Sequence, residues 1–155
     1  MSSLYLVEPG SQDLDTLMEL VKSYYKYDGH DFDAGLVRES LEDLIKKSLL
    51  GRVWFIDLID ANHAKNKNIG YIILTFGYSL EFHGRNAFID EFFIVETMRG
   101  KGLGKKAIEL VLQKAKPFKI NAIHLEVVTA NLDAYEFYSK IGFIDRSHHL
   151  LTKKI

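Results

Sequence analysis

Apolar positions recur along this chain with two different periods, and each change of period marks an element. A strand-like run, LYLVE, leads through the turn Pro9-Gly10-Ser11 to Leu14, Leu17, Met18, Val21, Tyr24 and Tyr25. That spacing lines one face of a helix, predicted over about Ser11 to Tyr27. Leu36, Val37, Leu41, Leu44, Ile45 and Leu49 repeat it behind Asp33, a suitable cap, and Gly51 suits the position after the helix end. RVWFIDLID and NIGYIILTFGYSLEF then switch to β-branched and aromatic residues around the polar ANHAKNK, residues 61–67, which predicts two antiparallel strands and a loop. Gly77 is expected to mark a bulge or kink in the second of them. The turn HGRN leads into a third long strand, AFIDEFFIV. A glycine-rich segment opens a helix with Leu103, Ala107, Leu110, Val111 and Lys114 at helical spacing, stopped near Pro117. AIHLEVVT reads as another strand, NLDAYEFYSKIG as a short helix ended by Gly142, and FIDRSHHLLTKKI as a terminal strand or strand pair. No repeat, low-complexity tract or linker divides the chain, so one domain over residues 1–155 is expected.

Composition narrows the function classes. With 155 residues and 47% hydrophobic content there is enough apolar surface for a real core. The formal net charge of -1, with 26% charged residues, supplies no global basic field for nucleic acid or an acidic membrane. Any phosphate binding must be local. The absence of cysteine excludes disulfides, thiolate metal sites and a covalent thioester on the protein. No basic leader precedes a long apolar run, so the expectation is a soluble, cytoplasmic protein without a membrane partner.

Local phosphate chemistry has one obvious seat. In ETMRGKGLGKKAIEL, residues 96–110, Gly100, Gly102 and Gly104 sit among Arg99, Lys101, Lys105 and Lys106 at the start of a helix. The first amides of a helix lack internal partners and carry the positive end of its dipole, so anions bind there. Glycines remove the Cβ atoms that would hold a diphosphate away from those amides. The plainer reading is a tight connection followed by a helix with solvated lysines. A Walker loop would need a hydroxyl residue after Gly104-Lys105, where Lys106 stands, and a dinucleotide fingerprint would need a third glycine at Lys105 or Ala107. Neither register fits.

What fits is R-x-x-G-x-G, with the register Arg99-Gly100-Lys101-Gly102-Leu103-Gly104, and here the chain resembles the GNAT superfamily of acyl-CoA-dependent N-acetyltransferases. DEFFIV upstream is similar to that family's fourth strand, and NLDAYEFYSKIGF downstream to its N-x-x-A-x-x-x-Y-x-x-x-G-F segment. Order and spacing agree over nearly all of the chain. The resemblance implies an α/β (α+β) fold: a mixed, mostly antiparallel sheet of about six to seven strands flanked by four helices, with two central parallel strands splayed apart. It implies acetyl-CoA as cosubstrate, its pantetheine arm on Phe93, Ile94 and Val95 and its diphosphate on the amides of Gly100, Lys101, Gly102, Leu103, Gly104 and Lys105. Arg99 either touches phosphate or shapes the turn. Asn131 either bonds to the pantetheine or acetyl region or caps the last helix, and the two roles are compatible.

Two proton problems remain. A departing thiolate must be protonated or stabilised, and the family motif places its tyrosine at Tyr138; the plain alternative is a core aromatic beside Phe137 and Ile141. An alkylamine, with a pKa near ~10.4, must lose a proton before attack. Asp90 and Glu91 are adjacent on the fourth strand, and alternation allows only one to face the substrate directly; Glu91 is the preferred base, directly or through water, and Asp90 a substrate contact or loop support. Glu81 holds a cationic amine or merely borders its turn. YYKYDGHDFD, joining the first two helices, mixes aromatic faces with carboxylates, and Tyr27 and Asp28 are the acceptor contacts expected from it. One histidine, His30, without repeat spacing does not make a metal site. The expected activity is direct acetyl transfer to a primary amine, a small cationic or amphipathic molecule. A protein lysine or N-terminal acetyltransferase and a non-catalytic acyl-CoA sensor remain as alternatives, with a homodimer possible through the terminal strand.

Overall fold

The computed structural model describes residues 2–60 and 66–155. They form two compact units, residues 1–125 and 126–155. The first contains β1 (Ser2–Val7), α1 (Leu14–Asp28), α2 (Ala34–Lys46), β2 (Gly51–Asp60), β3 (Asn66–Ser79), β4 (Gly84–Ile94), α3 (Leu103–Ala115) and β5 (Ala122–His124). Its sheet runs in the order β1-β2-β3-β4-β5, antiparallel throughout except for the parallel β4–β5 pair. The second unit contains α4 (Leu132–Lys140).

Two cores explain why these elements form. Leu14, Leu17, Met18 and Val21 recur at helical spacing on α1 and, with Leu41 of α2, cover Val53, Phe55, Tyr71, Ile73 and Phe93 on one sheet face. Each fully buried side chain of this kind contributes roughly 1.5–3 kcal/mol. Strand residues of the other parity, Trp54, Ile56, Ile72 and Leu74, are equally buried on the opposite face. There α3 lies beside β1, with Ala107, Ile108, Val111 and Ala115 buried.

Asp33 caps α2 as the sequence predicts, its Oδ1 accepting from Gly35 N at 2.9 Å and Leu36 N at 3.0 Å. Elsewhere the boundaries move. Helix α2 ends at Lys46, and Gly51 opens β2 instead of following the helix, because a Cβ there would run into the Leu74 carbonyl of β3. Residues 66 and 67 of the predicted loop belong to β3, while 61–65 lie outside the described residues. Gly77 pairs regularly with Asn86; its missing Cβ admits the Asn86 side chain, and no bulge occurs there. The register of β3 against β4 shifts between Ile73 and Leu74, opposite Asp90. The predicted sixth and seventh strands are absent among the described residues, which form five. Residues 143–155 have no regular structure and expose Ile144, Leu150 and Leu151, so their apolar content found no strand partner. The strand read in AIHLEVVT is confined to Ala122–His124, where it pairs with Asn86–Phe88; beyond that the parallel pair ends, while β4 continues to Ile94.

One carboxyl is buried in this sheet. Asp57 is 6% exposed, and its Oδ1 has no hydrogen-bond partner among the described residues; nor does Oδ1 of Asn68, its cross-strand neighbour. Burial, then the Asp13 carboxylate, raises the Asp57 pKa. Since the folded value exceeds the unfolded one, stability is greatest below the ordinary carboxyl range and falls as pH rises through the folded value. Asp57→Asn removes the charge and presents a donor to Asn68. It is expected to raise stability by about 1–2 kcal/mol at pH 7 and to flatten this part of the pH dependence. Urea unfolding at pH 5 and pH 7 measures both, and a less stable variant at pH 7 would contradict the assignment.

Candidate functional site

The glycine turn has the geometry an anion requires. Gly100 and Gly102 take φ of 71° and 72°, in the left-handed region, and a Cβ on either would meet nothing within 4 Å. Gly102 is also the N-cap of α3 and offers no side chain to the helix end. The first helical bond, Lys106 N to Gly102 O, is long at 3.4 Å. Leu103, Gly104 and Lys105, in the first turn, are therefore left with amides that have no intrahelical acceptor. The lysines are less uniformly committed to phosphate than their spacing suggests: Lys101 Nζ donates to Thr97 O at 3.0 Å, and Lys105 lies 3.9 Å from Glu109. The backbone thus fits a diphosphate better than the lysine side chains do.

At the end of β4, Phe93 and Ile94 are buried. The Val95 amide donates to Ile69 O at 2.9 Å, and the Ile94 carbonyl accepts from Arg99 Nε at 2.7 Å. Arg99 therefore ties the turn to the strand. Its guanidinium carbon lies over Tyr27, 4.1 Å from the ring centre, and 5.3 Å from that of Phe93.

The shift in register beside Asp90 sets the two acidic residues apart. It places Ile73 opposite Glu91 and Leu74 opposite Ile89, so Asp90 is the extra residue and Glu91 joins Tyr71, Ile73 and Phe93 on the α1 face. Asp90 is exposed and Glu91 half-buried. The buried Tyr71 donates its hydroxyl to Glu91 Oε2 at 2.6 Å, and the Tyr25 phenol is a further neighbour of Glu91. Burial pushes the Glu91 pKa up; the two phenols and the charge of His30 pull against it, while Asp90 adds to the rise. The balance remains upward, as expected of a carboxylate poised to take a proton. Tyr25 is pushed up to about 12 by burial and then by the charge of Glu91, and Tyr71 rises further for the same causes, so both stay protonated donors.

Aromatic rings surround this carboxylate. Tyr24 packs against Tyr25, Tyr71, Phe93 and His30, with ring centres 5.9–6.4 Å apart. Gly29, at φ 76°, ends α1 and turns the chain so that His30 lies beside Tyr25, with its Nε2 2.7 Å from Asp28 Oδ2. The expected acceptor segment, Tyr27 included, is thus assembled around Glu91 and Arg99. Glu81 is not part of it: it lies in the turn before β4, and Gly84 to Glu91 alone spans roughly 23 Å of strand. Tyr71 is what sequence reasoning missed, since a tyrosine within IGYIIL reads as core and nothing in its spacing announces the hydroxyl's partner.

In the second unit Asn131 caps α4, its Oδ1 accepting from Ala134 N at 3.1 Å. Tyr138 is half-buried, with its ring centre 5.0 Å from Phe137 and 5.6 Å from Phe143. Burial pushes its pKa up to about 12. No helix among the described residues is long and apolar enough to cross a membrane, and no group of three metal-ligating side chains occurs among them.

The sequence profile of the family described as Acetyltransferase (GNAT) family matches residues 14–143. A spermine/spermidine N(1)-acetyltransferase of Bacillus subtilis is 39% identical over 56 residues, 36% of this chain and 37% of that relative's length. The peptidyl-lysine N-acetyltransferase YjaB of Salmonella typhimurium is 28% identical over 114 residues, 74% of this chain and 66% of that relative. Among solved structures, an integron cassette protein from the mobile metagenome of Cole Harbour Salt Marsh superposes with a TM-score of 0.81 and 28% identity, covering 97% of this chain and 90% of its own.

Proposed function

The chain belongs to the acetyltransferase (GNAT) family, and from that premise we propose that it transfers the acetyl group of acetyl-CoA directly to the primary amine of a small cationic or amphipathic molecule. The observation that carries this reading is Glu91, a half-buried carboxylate that accepts the Tyr71 hydroxyl among aromatic rings. When bound, acetyl-CoA supplies an activated carbonyl and a thiolate leaving group. The amides of Gly100 to Lys105 hold its diphosphate, Phe93 to Val95 align its pantetheine arm, and Asn131 assists near the acyl end. Tyr27 and Asp28 receive the cationic acceptor, Glu91 takes its proton, Asp90 supports the neighbouring loop, and Tyr138 stabilises the departing sulfur. With no cysteine in the chain, transfer proceeds in one complex of both substrates, where proximity supplies much of the rate.

The relatives' names support amines as acceptors and divide on their kind, which keeps a second reading open: a lysine side chain of a protein, favoured by the longer match to YjaB. A screen of purified protein with acetyl-CoA, polyamines, amino acids, aminoglycosides and lysine peptides, followed by free thiol release, separates the two. Release with none of them, while coenzyme A still binds, would replace catalysis by acyl-CoA sensing.

Gly102 tests the cofactor half of the proposal. A Val there must adopt φ near 72°, which costs about 1–2 kcal/mol, and its side chain would occupy the open cradle. Gly102→Val is expected to weaken coenzyme A binding about tenfold by calorimetry, with melting lowered by only a few degrees. Unchanged affinity would move the diphosphate elsewhere.

A further inference from the structure

Arg99 begins the glycine turn, yet its side chain runs away from it. Three contacts fix its course: the 2.7 Å bond from Nε to the Ile94 carbonyl, and the faces of Tyr27 at 4.1 Å and Phe93 at 5.3 Å. So placed, the guanidinium lies against the α1 rim that carries the proposed acceptor contacts, with the next residue in sequence, Gly100, in the proposed diphosphate cradle. Tyr27, in the last turn of α1, is 65% exposed, and a cation stacked on so open a ring holds it only weakly. Such a contact responds to small movements of the turn.

We propose that Arg99 is a positioning residue that couples the two substrate sites: a diphosphate seated on the turn fixes Arg99, and Arg99 fixes Tyr27 as one wall of the acceptor site. This rests on the acetyl-transfer reading above. The charge against one face of Tyr27 weakens the ring's attraction for a second cation, so the free face suits the methylene stem of an alkylamine. The ammonium passes on to Glu91. Because coupling between two binding sites is reciprocal, the cofactor tightens the amine by the same factor by which the amine tightens the cofactor.

The test needs a readout at Tyr27 that does not depend on knowing the acceptor. With 3-fluorotyrosine at position 27, coenzyme A should shift the fluorine resonance of the native chain, and the shift should vanish in Arg99→Lys at saturating coenzyme A, since lysine keeps the charge but loses the flat face and the Nε donor. For the amine acetylated best by the native protein, Arg99→Lys and Tyr27→Leu should each raise KM about 5–10-fold, at the low end of usual coupling, with the effect falling on KM more than on kcat. The double variant should be no worse than either single one. A Tyr27 resonance indifferent to bound coenzyme A, or single effects that multiply in the double variant, overturns the coupling while leaving acetyl transfer intact. A protein that binds no coenzyme A defeats the acetyl-transfer reading and this proposal together.

Discussion

Replacing Glu91 with Gln is expected to slow acetyl transfer about 10²–10³-fold at pH 7.4, because the variant must wait for amine that is already neutral. An alkylamine with pKa ~10.4 is free base in only about one molecule per 10³ at that pH, and a base that accepts the ammonium directly recovers most of this factor. Gln keeps an oxygen for the Tyr71 hydroxyl, so the fold around it should persist. The pH profile is the sharper check. Native activity should rise through the Glu91 pKa, displaced above the usual carboxylate range by burial, and then level off. The variant should instead gain about tenfold per pH unit until the amine's own pKa, so that the two converge in alkali. Tyr71→Phe removes one of the donors that hold the Glu91 value down, so its acidic limb should move to higher pH with Glu91 still in place. A Glu91→Gln variant that keeps the native profile would transfer the proton to another group, with Asp90 the nearest.

What the sequence made legible depends on whether the controlling interaction is local. The cap at Asp33, the apolar face of α1 and the glycine turn opening α3 are decided within a few residues, and the structure carries all three. The predicted terminal strand needs a partner that a local pattern cannot supply, and residues 143–155 remain irregular although FIDRSHHLLTKKI has strand-like content. The register shift at Asp90 is a two-strand property as well. Simple alternation says that Asp90 and Glu91 oppose each other, but only the pairing with Ile73 and Leu74 shows Glu91 to be the one facing the α1 side. The same limit hid Tyr71, whose hydroxyl meets a residue twenty positions away. Arg99 was open to two readings in sequence, and its stacking on Tyr27, from a distant helix, favours the shaping role.

Tyr138→Phe is expected to lower kcat about 10–10²-fold with little change in amine KM, and the size follows from the acidity of the two groups. A free thiol of the cysteine kind has a pKa near ~8.5, while burial pushes the Tyr138 phenol up to about 12. Complete proton transfer from this phenol to the leaving thiolate is uphill by roughly 3.5 units, on the order of 5 kcal/mol. A hydrogen bond to charge growing on sulfur carries no such penalty and is worth about 1.5–3 kcal/mol, which gives the range stated. The proposed role is therefore donation of a hydrogen bond, with the proton for the thiol drawn in the end from the amine. Loss of the hydroxyl should cost less with a thioester of a more acidic thiol, whose sulfur bears its charge more easily. A tyrosine that only packs against Phe137 and Phe143 behaves oppositely: Phe preserves the ring, frees a buried hydroxyl from desolvation, and leaves kcat within about twofold for every thioester. Steady-state rates with two thioesters and a melting curve of the variant decide between hydrogen bonding to sulfur and simple packing.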